Sequence, residues 1–134
     1  MQNPAGAGGH VTTRILICDD DKVFADMIRA YLDYLGYGSL HCLDVNELRF
    51  FTGKHRPSLV ILDMQIGGGG GSVAASILPA SVPIIVVSGM PVEQQRAWFK
   101  DRAAIRFFQK PIDNKLLGEA VRELLPPAPQ APCP

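Results

Sequence analysis

Polar residues interrupt this 134-residue chain at four places, and each place follows a run of strand-forming apolar residues. In an open α/β sheet of parallel strands, the carboxyl ends of the strands meet along one edge, where ligands bind. The sequence therefore predicts that these four groups of polar side chains converge on one site. The groups are Asp19-Asp20-Asp21, Asp63, Ser88 and Lys110-Pro111.

Strand-like runs alternate with runs of helical spacing along the chain, a pattern that predicts five βα units. Parallel strands joined by right-handed helical crossovers have both faces of the sheet covered, so we expect an α/β sandwich of three layers. The predicted strands are residues 14–18, 38–43, 58–62, 83–87 and 105–109, and the predicted helices are 23–35, 45–54, 73–78, 92–101 and 112–125.

Local signals place several of the predicted helix boundaries. Asp44 and Glu47 match a capping box at the start of the second helix. The five consecutive glycines from Gly67 to Gly71 lose too much backbone entropy to favour a helix, so they predict a flexible loop after Asp63. Ser72 is then the expected N-cap of a short third helix.

Composition excludes several classes of function. Lys+Arg and Asp+Glu both number 13, so the net charge does not favour a nucleic-acid or membrane-surface partner. No apolar stretch reaches the roughly 18 residues of a membrane span, and a cytoplasmic location is the default expectation. Cys18, Cys42 and Cys133 lack the spacing of a metal site, and the first two are expected to be buried, reduced thiols.

The chain divides into one domain and two tails. Residues 1–13 are rich in Gly and Ala without periodicity and predict a flexible N-terminal segment. Residues 14–125 form the predicted domain. Residues 126–134 contain five prolines and predict an extended tail or linker, for which a match to a PxxP ligand at 129–132 is the weaker alternative.

The expected site has the groups that phosphoryl transfer needs. Three carboxylates repel one another, and a divalent cation among Asp19, Asp20 and Asp63 would stabilise them. Mg²⁺ prefers oxygen ligands and commonly takes one or two carboxylates together with phosphate oxygens. Lys110 supplies an opposing positive charge, and Ser88 can donate to a phosphoryl oxygen. Asp63 stands alone after its strand and is the candidate nucleophile, so an aspartyl phosphate is the expected product.

These residues resemble the receiver domain of bacterial two-component response regulators. The resemblance covers about residues 14–125 and rests on four signals in the expected order, each behind its own strand. It implies a flavodoxin-like (βα)5 topology with a five-stranded parallel sheet of order 2-1-3-4-5. The motifs are Ile15-Leu16-Ile17-Cys18-Asp19-Asp20-Asp21, Val60-Ile61-Leu62-Asp63, Ile84-Ile85-Val86-Val87-Ser88-Gly89 and Phe107-Phe108-Gln109-Lys110-Pro111.

The resemblance assigns a role to each site residue. Asp63 would accept the phosphoryl group and would bind Mg²⁺ directly together with Asp20. Asp19 would act near the metal through water, and the backbone carbonyl of Gln65 would be a further ligand. Lys110 would pair with the acids and then with the phosphate. Ser88 and Phe107 would be the switch residues, whose movement changes the face formed by helix 4, strand 5 and helix 5.

The resemblance also implies partners. A histidine kinase or a histidine phosphotransfer protein would supply the phosphoryl group, and a homodimer through helix 4, strand 5 and helix 5 is a further expectation. The domain would assist its own phosphotransfer and dephosphorylation rather than act as an enzyme. Direct binding of nucleic acid by this chain and association with a membrane are not expected.

Two other functions compete with this one. A hydrolase of the haloacid-dehalogenase type also uses an aspartate, Mg²⁺, a hydroxyl and a lysine, but it needs an acid two residues after the nucleophile, where this chain has Gln65. A receiver-like interaction module that works without phosphorylation is the stronger alternative. It is kept open because the loop after Asp63 is altered, with Gly67 in the place of a family proline. The interval of 25 positions from Asp63 to Ser88 is short for the family and bears on the length of the third helix.

Overall fold

The computed structural model describes residues 15–68, 70–99, 102 and 104–125. The predicted tails, 1–13 and 126–134, lie outside these residues. Strands and helices alternate over the whole described region, as expected. The elements are β1 (Ile15–Cys18), α1 (Lys22–Tyr34), β2 (Ser39–Cys42), α2 (Val45–His55), β3 (Leu59–Leu62), α3 (Gly70–Ile77), β4 (Ile84–Ser88), α4 (Val92–Arg96), β5 (Ile105–Gln109) and α5 (Asn114–Leu124).

The five strands form one parallel sheet of order β2-β1-β3-β4-β5. Strands β1, β3 and β4 are buried along their whole length, as central strands covered on both faces must be. Alternate strand residues point into two separate hydrophobic clusters, one containing Leu16 and Val60 and the other Ile15 and Ile61. The three-layer α/β sandwich with flavodoxin-like topology is therefore confirmed.

Side-chain caps fix the start of the first two helices. The Asp21 carboxylate accepts a hydrogen bond from the N–H of Phe24, so Asp21 is the N-cap of α1. The Asp44 carboxylate accepts from the N–H of Glu47, whose own carboxylate accepts from the N–H of Leu43 at 2.7 Å. The Asp44 cap is therefore the one that the sequence predicted, while Glu47 bonds the residue before the cap rather than Asp44 itself.

The third helix begins earlier than the glycine run predicted. Gly70 and Gly71 belong to α3, whereas a start after Ser72 was expected, and that expectation is wrong. Gly70 has a φ of +64°, and the N–H of Gly71 donates to the carbonyl of Met64 at 3.0 Å. The carbonyl of Gly67 accepts from the N–H of Val45, at the start of α2. These tertiary hydrogen bonds offset the entropy that glycine loses in ordered backbone.

The fourth helix is shorter than predicted. Regular α-helix ends at Arg96 rather than near residue 101. The N–H groups of Ala97, Trp98 and Phe99 each donate to the carbonyl three residues earlier, which tightens the last turn. Phe99 is buried and Trp98 is 47% exposed.

One arginine joins the C-terminal end of α3 to the segment before β5. The Arg102 guanidinium donates to the carbonyls of Pro79 at 2.9 Å and Val82 at 3.0 Å. It also donates to the carbonyls of Ala75 and Leu78, which lie in the last turn of α3 and just after it. Burial lowers the pKa of Arg102. A side chain from a distant segment thus satisfies carbonyls that a helix end leaves without partners.

Several apolar residues of the predicted helices lie at the surface. Val23 and Met27 of α1 and Leu116 of α5 are exposed. Ile112 was expected on the last helix but precedes it, because Asp113 is the N-cap of α5. Cys18 and Cys42 are buried and free, as predicted, and burial raises the pKa of both thiols, to about 12 for Cys42.

We predict that Gly70→Ala destabilises the domain and that Gly67→Ala does not. A Cβ at Gly70 would lie 2.9 Å from the Met64 carbonyl oxygen, on a residue with positive φ. The expected loss is about 1–3 kcal/mol of unfolding free energy, measured by urea denaturation. A Cβ at Gly67 would meet nothing within 4 Å, so this variant is the matched control. Equal stabilities of the two variants would contradict the prediction.

Candidate functional site

The carboxyl edge of the sheet brings the predicted polar groups together. Asp19 follows β1, Asp63 follows β3, Ser88 ends β4 and Lys110 follows β5. The Lys110 Nζ lies 2.8 Å from Asp19 Oδ2 and 3.2 Å from Asp63 Oδ2. Residues that are 91 and 47 positions apart in sequence therefore share one site.

Three of the carboxylates lie close enough to share one cation. Asp19, Asp20 and Asp63 each offer an oxygen, and these oxygens lie within 4.8 Å of one another. Asp19 and Asp63 are buried, whereas Asp20 is exposed. Backbone N–H groups hold the two buried acids: Asp21 donates to Asp19 Oδ1 at 2.8 Å and Gln65 donates to Asp63 Oδ1 at 3.0 Å. The cluster thus combines fixed buried oxygens with one exposed to solvent.

Burial and charge act in opposite directions on the titration of this site. Burial raises the pKa of Asp19, and the Asp63 charge adds to this effect, although hydrogen bonds from Lys110 and from the N–H of Asp21 partly offset it. Burial alone would lower the pKa of Lys110, but the hydrogen bonds and charges of Asp19 and Asp63 outweigh burial and raise it. The lysine is therefore charged at neutral pH and partly neutralises the acids.

The end of β4 is tied to both the following loop and β5. Ser88 is fully buried, and its Oγ accepts a hydrogen bond from the N–H of Met90 at 3.3 Å. The carbonyl of Ser88 accepts from the N–H of Lys110 at 2.8 Å. Buried Gln95 of α4 donates through Nε2 to the carbonyls of Met90 at 2.7 Å and Phe108 at 2.9 Å. Its Oε1 has no hydrogen-bond partner among the described residues.

Phe107 lies on β5 and contacts the α4 segment rather than the acidic cluster. Its ring centroid is 6.3 Å from that of Phe99, and the Arg96 guanidinium lies 5.1 Å from the ring. The ring is partly buried against the cluster that includes Val86. The proposed aromatic switch residue therefore sits between α4 and β5, next to the strand that ends in Ser88.

The three consecutive acids after β1 divide into different roles. Asp21 is the N-cap of α1. Asp20 lies in the carboxylate cluster. Gln65 is at the site through its backbone N–H, whereas the predicted metal-binding role of its carbonyl stays a prediction.

Two contacts at the site were not expected from the sequence. The Phe24 ring lies 4.3 Å from Lys110 Nζ, and His41 Nε2 lies 2.6 Å from the backbone oxygen of Asp19. In the sequence, Phe24 looks like any other apolar residue of the first helix. Its position three residues after the capping acid is the only sequence signal that places it near the strand ends.

The fold and the acidic edge define a flavodoxin-like α/β domain with a carboxylate cluster facing a lysine. Residues 15–122 match the family described as the response regulator receiver domain, so the chain belongs to that family. The family predicted from the four strand-end motifs is thereby confirmed.

Curated relatives of two kinds are similar to this chain. The DNA-binding dual master transcriptional regulator RpaA of Synechocystis sp. is 26% identical over 117 residues, which cover 84% of this chain and 48% of the relative. Sporulation initiation phosphotransferase F of Bacillus subtilis is 25% identical over 116 residues, which cover 84% of this chain and 94% of the relative. The chain thus spans about half of RpaA and nearly all of the second relative.

A solved structure has the same fold. It is a response regulator protein from Burkholderia pseudomallei with a phosphorylated aspartic acid, calcium ion and citrate, and it matches with a TM-score of 0.72 and 21% identity. The match covers 82% of this chain and 66% of that chain. At this level of identity, the likeness concerns the fold alone.

We predict that Lys110→Met destabilises the metal-free domain, because it leaves two buried carboxylates without their cation. We expect the unfolding free energy, measured by urea denaturation, to fall by about 1–3 kcal/mol. The Lys110 side chain is 23% exposed, so this loss is smaller than the loss expected for a fully buried pair. Lys22→Met is the matched control, because Lys22 forms an exposed pair with Asp26 one helical turn away. The control should leave stability essentially unchanged, and equal losses in both variants would contradict the prediction.

Proposed function

We propose that this domain accepts a phosphoryl group on Asp63 in a Mg²⁺-dependent reaction. The observation that carries the proposal is the placement of the Lys110 ammonium between the buried carboxylates of Asp19 and Asp63. A cation fixed beside the acceptor oxygen can neutralise charge on an incoming phosphoryl group. The site has a nucleophile, a cation and a hydroxyl in Ser88, and phosphoryl transfer requires mainly that such groups be positioned.

The carboxylate cluster fits a hard divalent cation. Asp19, Asp20 and Asp63 supply only oxygen donors, two of them held by backbone N–H groups, which suits Mg²⁺. We propose that Asp20 and Asp63 bind the metal directly, with Asp19 acting through water and the Gln65 carbonyl as a further ligand. When bound, the metal would supply positive charge that reduces the repulsion between the acids and the phosphoryl oxygens.

We propose that phosphorylation is read out through the face formed by α4, β5 and α5. Ser88 would turn its hydroxyl toward the phosphoryl group, and Phe107 would move inward on β5. The contacts around Ser88 support this readout. The Ser88 Oγ accepts a hydrogen bond from the N–H of Met90 in the loop after β4, and Gln95 links the same loop to β5. The proposed homodimer would use the same face, and Trp98, just after α4, is exposed.

The proposed phosphodonor is a histidine kinase or a histidine phosphotransfer protein. The domain would act as a phosphoacceptor that assists its own phosphotransfer and dephosphorylation, rather than as an enzyme with a separate substrate. Every helix in the described part of the chain is too short or too polar to cross a bilayer. We propose a cytoplasmic location, with which the free buried thiols of Cys18 and Cys42 agree.

We expect acetyl phosphate with Mg²⁺ to add one phosphoryl group to the wild-type domain, detected by intact mass after rapid quenching. Asp63→Asn should give no adduct, because an amide cannot act as the nucleophile. Omission of Mg²⁺ should also abolish the adduct. Absence of an adduct in the wild type, together with no binding of beryllofluoride, would replace this function by the phosphorylation-independent interaction module.

We expect Mg²⁺ to stabilise the folded domain by about 2.7 kcal/mol when its concentration is about 100 times its Kd. Asp20→Asn should remove most of this gain, measured by thermal unfolding with and without Mg²⁺. Asp21→Asn is the matched control, because it removes one neighbouring charge and keeps a side chain that caps α1. If both variants lost the gain equally, Asp20 would have no specific role in binding the metal.

A further inference from the structure

Lys110 has a third neighbour besides its two carboxylates. Its Nζ lies 4.3 Å from the centroid of the Phe24 ring. An ammonium group has three N–H donors, and hydrogen bonds to Asp19 and Asp63 use two of them. The ring occupies another side of the same ammonium group. An aromatic face attracts a cation through its quadrupole, so the ring adds to the forces that hold the lysine over the acids.

Phe24 is itself held in place from two directions. Its backbone N–H donates to the capping carboxylate of Asp21 at 3.1 Å, which fixes its position in the first turn of α1. Its partly buried ring packs against the hydrophobic cluster that contains Ile17 and Ile28. The ring is thus a fixed surface, and the flexible lysine is the partner that adjusts to it.

The ring and the lysine both lie at the edge of an apolar groove at the surface. Phe24, Met27, Pro111 and Ile112 line this groove together with Lys110, and its volume is about 360 Å³. The ring offers the ammonium no competing carboxylate or carbonyl oxygen. We expect the ammonium to keep its contact with the ring when a phosphoryl oxygen replaces the Asp63 oxygen as its partner.

We propose that Phe24 is a positioning residue of the acidic site, whose ring holds the Lys110 ammonium where it assists phosphorylation of Asp63. This inference rests on the function proposed above. With acetyl phosphate as the donor, a carboxylate oxygen of Asp63 bonds to the phosphorus while the bond from phosphorus to the departing acetate breaks. The electron pair of the broken bond leaves with the acetate, and the step needs no oxidant and no additional proton.

The contact between the Phe24 ring and Lys110 can be tested without phosphorylation, by NMR of the Lys110 Hε and Cε atoms. These signals are assigned by their loss in the Lys110→Arg variant. A stacked ring should shift the Hε signals upfield of those of an exposed lysine such as Lys22. Phe24→Leu should remove this shift, and Phe24→Tyr should keep it. Unchanged Lys110 signals in Phe24→Leu would overturn the proposal.

The functional consequence is tested by the rate of Asp63 phosphorylation with acetyl phosphate and Mg²⁺. This small donor removes any contribution of Phe24 to docking of a protein partner. Phe24→Leu should react about three- to tenfold more slowly, and Phe24→Tyr should restore the rate. Met27→Leu is the control, because Met27 lines the same groove on the next turn of α1 and should react as the wild type does. Circular dichroism and thermal unfolding check that each variant is folded.

The outcomes separate this inference from the function on which it rests. If the wild type forms no adduct, the proposed phosphoacceptor function fails and the positioning role falls with it. If the wild type reacts normally and Phe24→Leu reacts at the same rate, the positioning role alone is overturned. A slower Phe24→Leu rate with a normal Met27→Leu rate supports the role of the ring.

Discussion

The attraction between one ammonium group and two buried carboxylates holds the carboxyl edge of this fold together. Asp19 and Asp63 follow adjacent strands, so the pairing of β1 with β3 brings the two acids close to each other. Burial strengthens their mutual repulsion because the protein interior screens charge poorly. Lys110 follows β5, which β4 separates from β3. Its hydrogen bonds therefore connect three strands and offset a repulsion that the sheet itself creates.

The three consecutive acids after β1 have different surroundings and different roles, because each occupies a different backbone position. Asp19 is buried with both carboxylate oxygens hydrogen-bonded, Asp20 is exposed within reach of the other acids, and Asp21 caps α1. The cap fixes the first turn of α1, and that turn places the Phe24 ring against Lys110. A residue with a structural role thus sets the position of a residue that acts on the site.

The sequence predicted the strand-end residues of the site well, because the topology of a parallel sheet dictates that its carboxyl ends converge. Lys110 and the acids were found in this way, although they are far apart along the chain. The start of α3 was predicted wrongly, because glycine propensity is a local property and the bonds of Gly67 and Gly71 to Val45 and Met64 are tertiary. The end of α4 was missed for a related reason, since no residue signal marks the tightened turn after Arg96.

The contact of Phe24 with Lys110 shows the limit of reasoning from periodicity. A helical stripe indicates that a side chain faces the protein, but it does not tell which atom that side chain meets. Val23 and Met27 share the stripe and lie exposed, whereas Phe24 reaches the acidic site. Side-chain direction at the end of a helix decides the difference, and only the three-dimensional structure supplies it.

The Gln95 amide has a mechanical consequence for any movement at the end of β4. Its Nε2 donates hydrogen bonds to the carbonyl of Met90, in the loop after β4, and to the carbonyl of Phe108, in β5. Displacement of the loop must therefore either break a buried hydrogen bond or carry Gln95, and with it α4, along. Among the described residues Oε1 of this amide has no hydrogen-bond partner, so both of its links to the backbone pass through Nε2. Since Arg96 and Phe99 also contact Phe107 of β5, a displaced loop changes how the whole α4 segment packs on that strand.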